Sequence, residues 1–183
     1  MAVGPHVALL RSVNVGGRNA IAMSQLRSLA EGLGYARVRT LLQSGNLLFD
    51  AESGAVDLEQ ALERELDRRL GLATEVLVRA AGEWDAVVAA NPFPDAAERD
   101  PSHLVLLALK GEADEARVAA LQAAVRDREQ VRGAGRQVYA YYPDGIGRSR
   151  LTMGVIERAL GARATGRNWN TVLKLAQALR DEA

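Results

Sequence analysis

Three short polar segments contain the residue types with which proteins bind anions. The segment RSVNVGGRN (11–19) places two glycines beside an arginine, so that turn N–H groups and a guanidinium lie close together. The segment TGRNWN (165–170) has a similar composition, and Asn168 is predicted to cap a helix whose free N–H groups favour an anion. The segment QSGN (43–46) surrounds a predicted hairpin turn. Together these segments predict an anion-binding function.

The candidate ligand-binding residues are the polar and glycine residues of these segments. They are Arg11, Asn14, Gly16, Gly17, Arg18, Gln43, Ser44, Asn46, Arg167, Asn168 and Asn170. Because amides, hydroxyls and guanidinium groups do not titrate near neutral pH, the list favours binding over acid–base catalysis. The hypothesis is that the three segments converge in one cleft between the two halves of the chain. The competing interpretation is that these residues only turn the chain and cap a helix.

Composition excludes several classes of site. The 183 residues include no cysteine, which removes disulfides, thiol nucleophiles and cysteine-based metal sites. Only two histidines are present, and His6 and His103 each precede an apolar run, where a capping or strand-edge role is expected. We therefore predict no metal and no cofactor. The absence of a long apolar run or a signal-type leader predicts a cytoplasmic protein with no membrane contact.

Charge is balanced overall but unevenly distributed. Residues 1–49 carry five basic and one acidic side chain, and residues 131–183 carry nine basic and four acidic ones. The middle segment, 50–130, carries nine basic and eighteen acidic side chains. If the two basic ends meet in the fold, their arginines form a positive surface suited to phosphate or carboxylate. Scattered, solvated charges are the alternative.

The first half of the chain alternates strand and helix signals. An apolar run at 6–15 predicts a strand, and the spacing of apolar residues at 23–33 predicts a helix. Two short strands at 37–42 and 46–49 follow, and then a helix that begins at a predicted Asp57 cap. A strand over 74–79 and a short helix near Trp84 complete a β-α-β-β-α-β order with one helix added.

The second half repeats this order after a proline-rich stretch, NPFPDAAERDP (91–101). PSHLVLLALK echoes the first strand, and RGAGRQVYAYYP supplies a second glycine turn and strand. We predict an α+β fold of two ferredoxin-like subdomains with antiparallel sheets, over 1–90 and 102–183, joined by a linker at 91–101. Two C-terminal helices end the second subdomain. The helices are expected to cover one face of each sheet and to leave the other face for packing or binding.

Two further functions are open alternatives to anion binding. Tyr139 and Tyr141 share one strand face near arginines, an arrangement with which some proteins stack single-stranded nucleic acid. An enzyme of unidentified reaction, or a protein-interaction module, is the other alternative. The sequence does not indicate the ligand, the reaction, the oligomeric state or the pathway.

The motifs LLRSVNVGGRN, RTLLQSGNLLF, NPFP and TGRNWNTVLKL occur in this order over almost the whole chain. In this respect the sequence resembles the bacterial family known as domain of unknown function 1697. The chain has Ser12 where the family usually has glycine, Leu41-Leu42 where it often has Tyr-Ile, and Gly166 where it commonly has threonine. The resemblance implies a small cytoplasmic bacterial protein with two ferredoxin-like subdomains, and it implies no activity.

Overall fold

The structure of the chain is a computed structural model that describes residues 3–52 and 54–181. The chain divides into two compact units. Unit 1 comprises Met1–Asp85 with Leu175–Ala183, and unit 2 comprises Ala86–Lys174. The domain limits drawn from the sequence (1–90, 91–101 and 102–183) stay a prediction. In the part of the chain that the structure describes, no helix has the length and apolar character needed to cross a membrane.

Unit 1 has the predicted alternation of strands and helices. Its elements are β1 (Gly4–Leu10), α1 (Met23–Gly32), β2 (Ala36–Leu41), β3 (Asn46–Ala51), α2 (Ala55–Leu70) and β4 (Val76–Ala80). They are followed by α3 (Ala81–Ala89), which continues into unit 2. The sheet is antiparallel with strand order β2-β3-β1-β4, which is the order of a ferredoxin-like β-α-β-β-α-β unit. The α+β fold class predicted from the sequence is confirmed.

Both faces of the central strands of unit 1 are buried. Ala8 and Leu10 face the core beneath α1 and α2, while Val7 and Leu9 face the opposite side, and all four are fully buried. The second face of the sheet is therefore used for packing at β1, which is one of the two uses expected for it. The reason is visible in the sequence, because a continuous apolar run without alternation is typical of a strand covered on both sides.

Asp57 does not cap helix α2. The helix begins two residues earlier, with Gly54 as the N-cap residue, and Asp57 lies within the first turn. An acidic side chain in that turn still interacts favourably with the positive end of the helix dipole. The Asp57 cap predicted from the sequence is therefore wrong.

Unit 2 has a three-stranded antiparallel sheet with strand order β6-β5-β7. Its elements are α4 (Pro94–Arg99), β5 (Leu104–Ala113), α5 (Glu115–Ala124), β6 (Gln130–Tyr141), α6 (Met153–Leu160), β7 (Ala164–Asn168) and α7 (Trp169–Arg180), of which α7 continues into unit 1 beyond Lys174. The two C-terminal helices are present as predicted. Helix α4 occupies the proline-rich stretch, with Pro94 in its first turn. Strand β7 covers ATGRN, although this segment lacks the apolar alternation of a strand.

Strand β6 stands where the sequence predicts a glycine turn followed by a strand. A Cβ atom on Gly133 would lie 2.8 Å from the carbonyl oxygen of Gln137 and 3.0 Å from Cα of Val138. In an extended strand, residues four apart are separated by roughly 13 Å, so the chain bends sharply within β6. Gly133 (φ +130°) and Gly135 (φ +68°) supply the left-handed backbone for that bend. The turn is present, although no separate strand precedes it.

Candidate functional site

The loop between β1 and α1 contains five residues with left-handed backbone. Ser12, Asn14 and Asn19 have φ values of 53°, 54° and 50°, and Gly16 and Gly17 have φ values of 59° and 73°. Non-glycine residues rarely adopt this conformation, and those that do are concentrated at functional sites. The chain turns back between Val15 and Arg18, whose N–H donates to the Val15 carbonyl at 3.1 Å. The loop is therefore a defined structure.

Asn14 joins this loop to the hairpin turn between β2 and β3. Its Oδ1 accepts from the N–H of Ile21 at 2.9 Å, and its Nδ2 donates to the Ile21 carbonyl at 3.0 Å. The same Nδ2 donates to the carbonyl of Gln43 at 2.7 Å. Two of the three segments singled out in the sequence thus lie side by side within unit 1. The Asn14 side chain serves this junction and has little capacity left for a ligand.

Gly45 and Asn46 complete the junction from the side of the hairpin. The N–H of Leu10 donates to the Gly45 carbonyl at 2.9 Å, so the turn sits directly on the end of β1. Asn46 is fully buried, and its Nδ2 donates to the Leu41 carbonyl at 2.8 Å and to Ser44 Oγ at 2.9 Å. Asn46 therefore stabilises the hairpin turn from inside.

The outer side of this junction carries a different set of groups. Arg18 and Gln43 are exposed, and within residues 3–52 and 54–181 the Arg18 guanidinium forms no hydrogen bond or ion pair. The N–H groups of Gly16 and Gly17 likewise have no acceptor among these residues. Arg11 differs, because its Nε lies 3.6 Å from a carboxylate oxygen of Glu75. Backbone donors and one unpaired cation therefore face solvent together.

Two apolar side chains flank these polar groups, and the sequence analysis did not select them. Val15 is 66% exposed and Leu42 is 45% exposed, each at the tip of its loop. Leu42 also has a positive φ of 61°. The only signal in the sequence is an apolar residue inside a glycine- or asparagine-rich turn, where a polar residue is usual.

The third predicted segment belongs to unit 2. Arg167 is 7% exposed, and its Nη1 donates to Thr165 Oγ1 and to the Gly166 carbonyl, both at 2.9 Å. Burial lowers the pKa of the Arg167 guanidinium to about 10, which leaves the side chain charged at neutral pH. These two hydrogen bonds lie within β7. The convergence of this segment with the two loops of unit 1 stays a prediction.

Asn168 caps helix α7, as predicted. Its Oδ1 accepts from the N–H of Thr171 at 3.0 Å, and α7 begins at Trp169. The N–H of Trp169 donates to the Pro101 carbonyl at 3.1 Å, so the first amide of the helix is already used. Asn170 is exposed. Apart from Asn170, this segment is engaged in building unit 2.

Both histidines lie within hydrogen-bond distance of neighbours close in the sequence. His6 Nδ1 lies 2.7 Å from the Gly4 carbonyl oxygen, and His103 Nδ1 lies 2.9 Å from Asp100 Oδ1. In the described ranges, no group of three or more His, Cys, Asp or Glu side chains is placed to hold a metal ion. Tyr141 also donates to Asp100, with its hydroxyl 3.3 Å from Oδ2. Asp100, His103 and Tyr141 therefore form a local hydrogen-bonded cluster in unit 2.

The nucleic-acid alternative requires Tyr139 to be accessible, and this expectation is wrong. Tyr139 is 2% exposed, its ring lies 6.3 Å from that of Trp169, and its hydroxyl donates to the Val87 carbonyl at 2.7 Å. Burial raises the pKa of Tyr139 to about 12. Tyrosine is as common in strands for packing as for binding, and here packing explains it.

Tyr139→Phe is expected to reduce stability and to leave any nucleic-acid affinity unchanged. Removing the hydroxyl leaves the buried Val87 carbonyl without its donor, which destabilises unit 2 by about 1 kcal/mol. Urea unfolding and fluorescence titration with a labelled single strand measure the two effects. Tyr141→Phe is the control, since that hydroxyl forms a longer bond to Asp100. A stable Tyr139→Phe variant with weakened strand binding would contradict this account.

The comparisons with known proteins show the family and the fold and state no activity. A family model described as "Protein of unknown function (DUF1697)" matches residues 3–139. The structure is similar to that of a conserved bacterial protein, SP0830 from Streptococcus pneumoniae, with a TM-score of 0.77 and 21% sequence identity over 97% of this chain and 99% of that chain. The search of curated proteins gave no match.

Proposed function

The chain belongs to the DUF1697 family of proteins of unknown function, and from the geometry of unit 1 we propose that it is a binding module for an anionic small ligand. The site consists of residues 14–19 and 42–45, called the paired loops below. A phosphorylated compound is the ligand class that these groups suit best. The proposal places no acid, base or metal in the site.

One observation carries the proposal: unused backbone donors and an unpaired arginine stand on a loop with left-handed backbone. Successive N–H groups in a left-handed turn form a concave anion-binding surface, and Gly16 and Gly17 present two such groups. The Arg18 guanidinium follows directly and can donate two parallel bonds to phosphate oxygens. The Asn14 bridge holds the loop in this form before a ligand arrives, which reduces the entropy lost on binding.

The residue types of the paired loops support binding without proton transfer. Residues 14–19 and 42–45 contain no Asp, Glu, His, Lys or Tyr, so no group there titrates near neutral pH. Exposed Val15 and Leu42 add apolar surface beside the donors. A phosphate ester with an apolar or aromatic part, such as a nucleotide, would use both kinds of surface.

Arg18→Gln is expected to weaken binding of AMP or inorganic phosphate about 10- to 100-fold, because a charge-assisted hydrogen bond contributes about 1.5–3 kcal/mol. Isothermal titration of the full chain at low salt measures the affinity, and added salt should reduce it. Arg27→Gln is the matched control, since Arg27 is an exposed arginine of the same unit on α1. Equal losses in both variants, or no binding of either probe, would overturn the proposal.

A further inference from the structure

A cavity of about 290 Å³ opens on unit 2, far along the chain from the paired loops. Its apolar wall comes from Leu121 and Val125 at the end of α5 and from Leu151 and Val155 at the start of α6. Leu121 and Leu151 are buried, while Val155 is 39% exposed. This volume is at the lower end of the range for ligand sites, so the cavity suits a small molecule.

A buried carboxylate lies at this cavity. Glu129 lines it and is only 9% exposed. Its Oε1 accepts a hydrogen bond from Ser149 Oγ, and the Ser149 Oγ accepts in turn from the N–H of Leu151 at 3.0 Å. Burial and then the negative charge of Glu129 raise the pKa of the neighbouring Tyr142 to about 12. A carboxylate held in this way favours a cationic partner.

Two arginines line the same cavity. Arg126 and Arg150 are exposed, and neither forms an ion pair with any residue in the described part of the chain. Asp127 is the fourth charged residue of the lining, so the four charges sum to zero. A ligand with a single charge would satisfy one sign and meet the other unpaired. The lining is therefore complementary to a molecule that carries both signs and an apolar group.

We propose that this cavity binds a small zwitterion with an apolar side group, that is, a free aliphatic α-amino acid. The ammonium group pairs with Glu129, the carboxylate pairs with Arg150 and Arg126, and the side chain packs against Leu151 and its apolar neighbours. Binding involves no covalent step. The site is independent of the paired loops, because all its residues belong to unit 2.

The test is an NMR titration of the full chain with L-leucine at low salt. We expect shifts of the methyl signals of Leu121, Leu151 and Val155. Two analogues act as internal controls: 4-methylpentanoate lacks the ammonium group, and 3-methylbutylamine lacks the carboxylate. Each should bind at least about tenfold more weakly than leucine, since each leaves one charged partner unsatisfied.

Three variants complete the experiment. Glu129→Gln and Arg150→Gln should each weaken leucine binding about tenfold or more, while Arg148→Gln, an exposed arginine of the same loop, should not. Arg18→Gln should also leave leucine binding unchanged, which separates this site from the paired loops. Equal binding of leucine and either analogue, or the absence of methyl shifts, would overturn the proposal. The analogues keep the test decisive even if Glu129→Gln fails to fold.

Discussion

Gly45→Ala is expected to lower the free energy of unfolding of unit 1 by about 2–5 kcal/mol. Gly45 has a φ of +78°, which alanine adopts only with strain. Its Cβ atom would lie 2.5 Å from Cγ2 of Val13 and 3.0 Å from Cβ of Leu10, and both neighbours are buried. Accommodating the methyl group requires the hairpin turn to move away from the end of β1. The same movement would separate the paired loops and weaken ligand binding.

Gly16→Ala is the matched control for this prediction. Gly16 also has a positive φ, of 59°, but its Cβ atom would have no neighbour within 4 Å. Only the left-handed strain applies, so the expected loss is about 1–2 kcal/mol. Urea unfolding followed by Trp84 fluorescence in a Trp169→Phe background reports on unit 1, because Trp84 is buried there. Similar losses at the two glycines would show that close packing at Gly45 contributes nothing.

Glu59→Ala is expected to destabilise unit 1 by about 3–5 kcal/mol, the range for breaking a buried ion pair from one side. Glu59 and Arg79 are 3% and 2% exposed, and Glu59 Oε1 lies 3.9 Å from Arg79 Nη1. The same oxygen accepts from the N–H of Val78 at 2.8 Å. Because β4 is an edge strand, this N–H has no partner strand on that side, and the carboxylate takes its place. The substitution removes both interactions at once.

Two further variants separate the charge from the hydrogen bond at Glu59. Glu59→Gln keeps an oxygen acceptor for Val78 and loses the charge, so we expect a smaller loss than for alanine. Glu63→Ala removes the next carboxylate along α2, which accepts from the N–H of Val76 at 2.8 Å but is only partly buried, and about 1 kcal/mol is expected. Urea unfolding measures all three. Equal losses for Glu59→Ala and Glu63→Ala would contradict a role for the buried ion pair.

These carboxylates illustrate what sequence patterns miss. Acidic residues on a strongly charged helix are usually solvated, and nothing in DLEQALERELDRRL (57–70) distinguishes Glu59 or Glu63 from Glu65. Glu65 does form surface ion pairs with Arg68 and Arg69, which hold the pKa of its carboxyl below its usual range. Only the packing of α2 beside the edge of β4 decides which carboxylate caps a backbone N–H.

The candidate site likewise has features that the sequence predicts and features that only the folded structure determines. The sequence predicts correctly that the chain turns at Gly16-Gly17 and at Ser44-Gly45, because glycine readily adopts left-handed backbone. The predicted first strand, over 6–15, is too long, because β1 ends at Leu10. The sequence does not predict that the Asn14 side chain forms hydrogen bonds with Ile21 and Gln43. Asn14 and Gln43 are 29 positions apart and meet only in the folded sheet. Arginine is a common phosphate-binding residue, yet Arg167 is buried on β7, where its Nη1 donates to Thr165 and Gly166.

By itself, the sequence determined the α+β class, the element order of unit 1, both glycine turns and the Asn168 cap, because each depends on local backbone preference and apolar periodicity. The tertiary structure decided which polar groups remain for a ligand. Hydrogen bonding within the fold satisfies Asn14, Asn46 and Arg167 first, since a buried polar group without a partner is unfavourable. The polar groups that remain available to a ligand, at Arg18 and around Glu129, depend on contacts between distant residues that no local sequence pattern encodes.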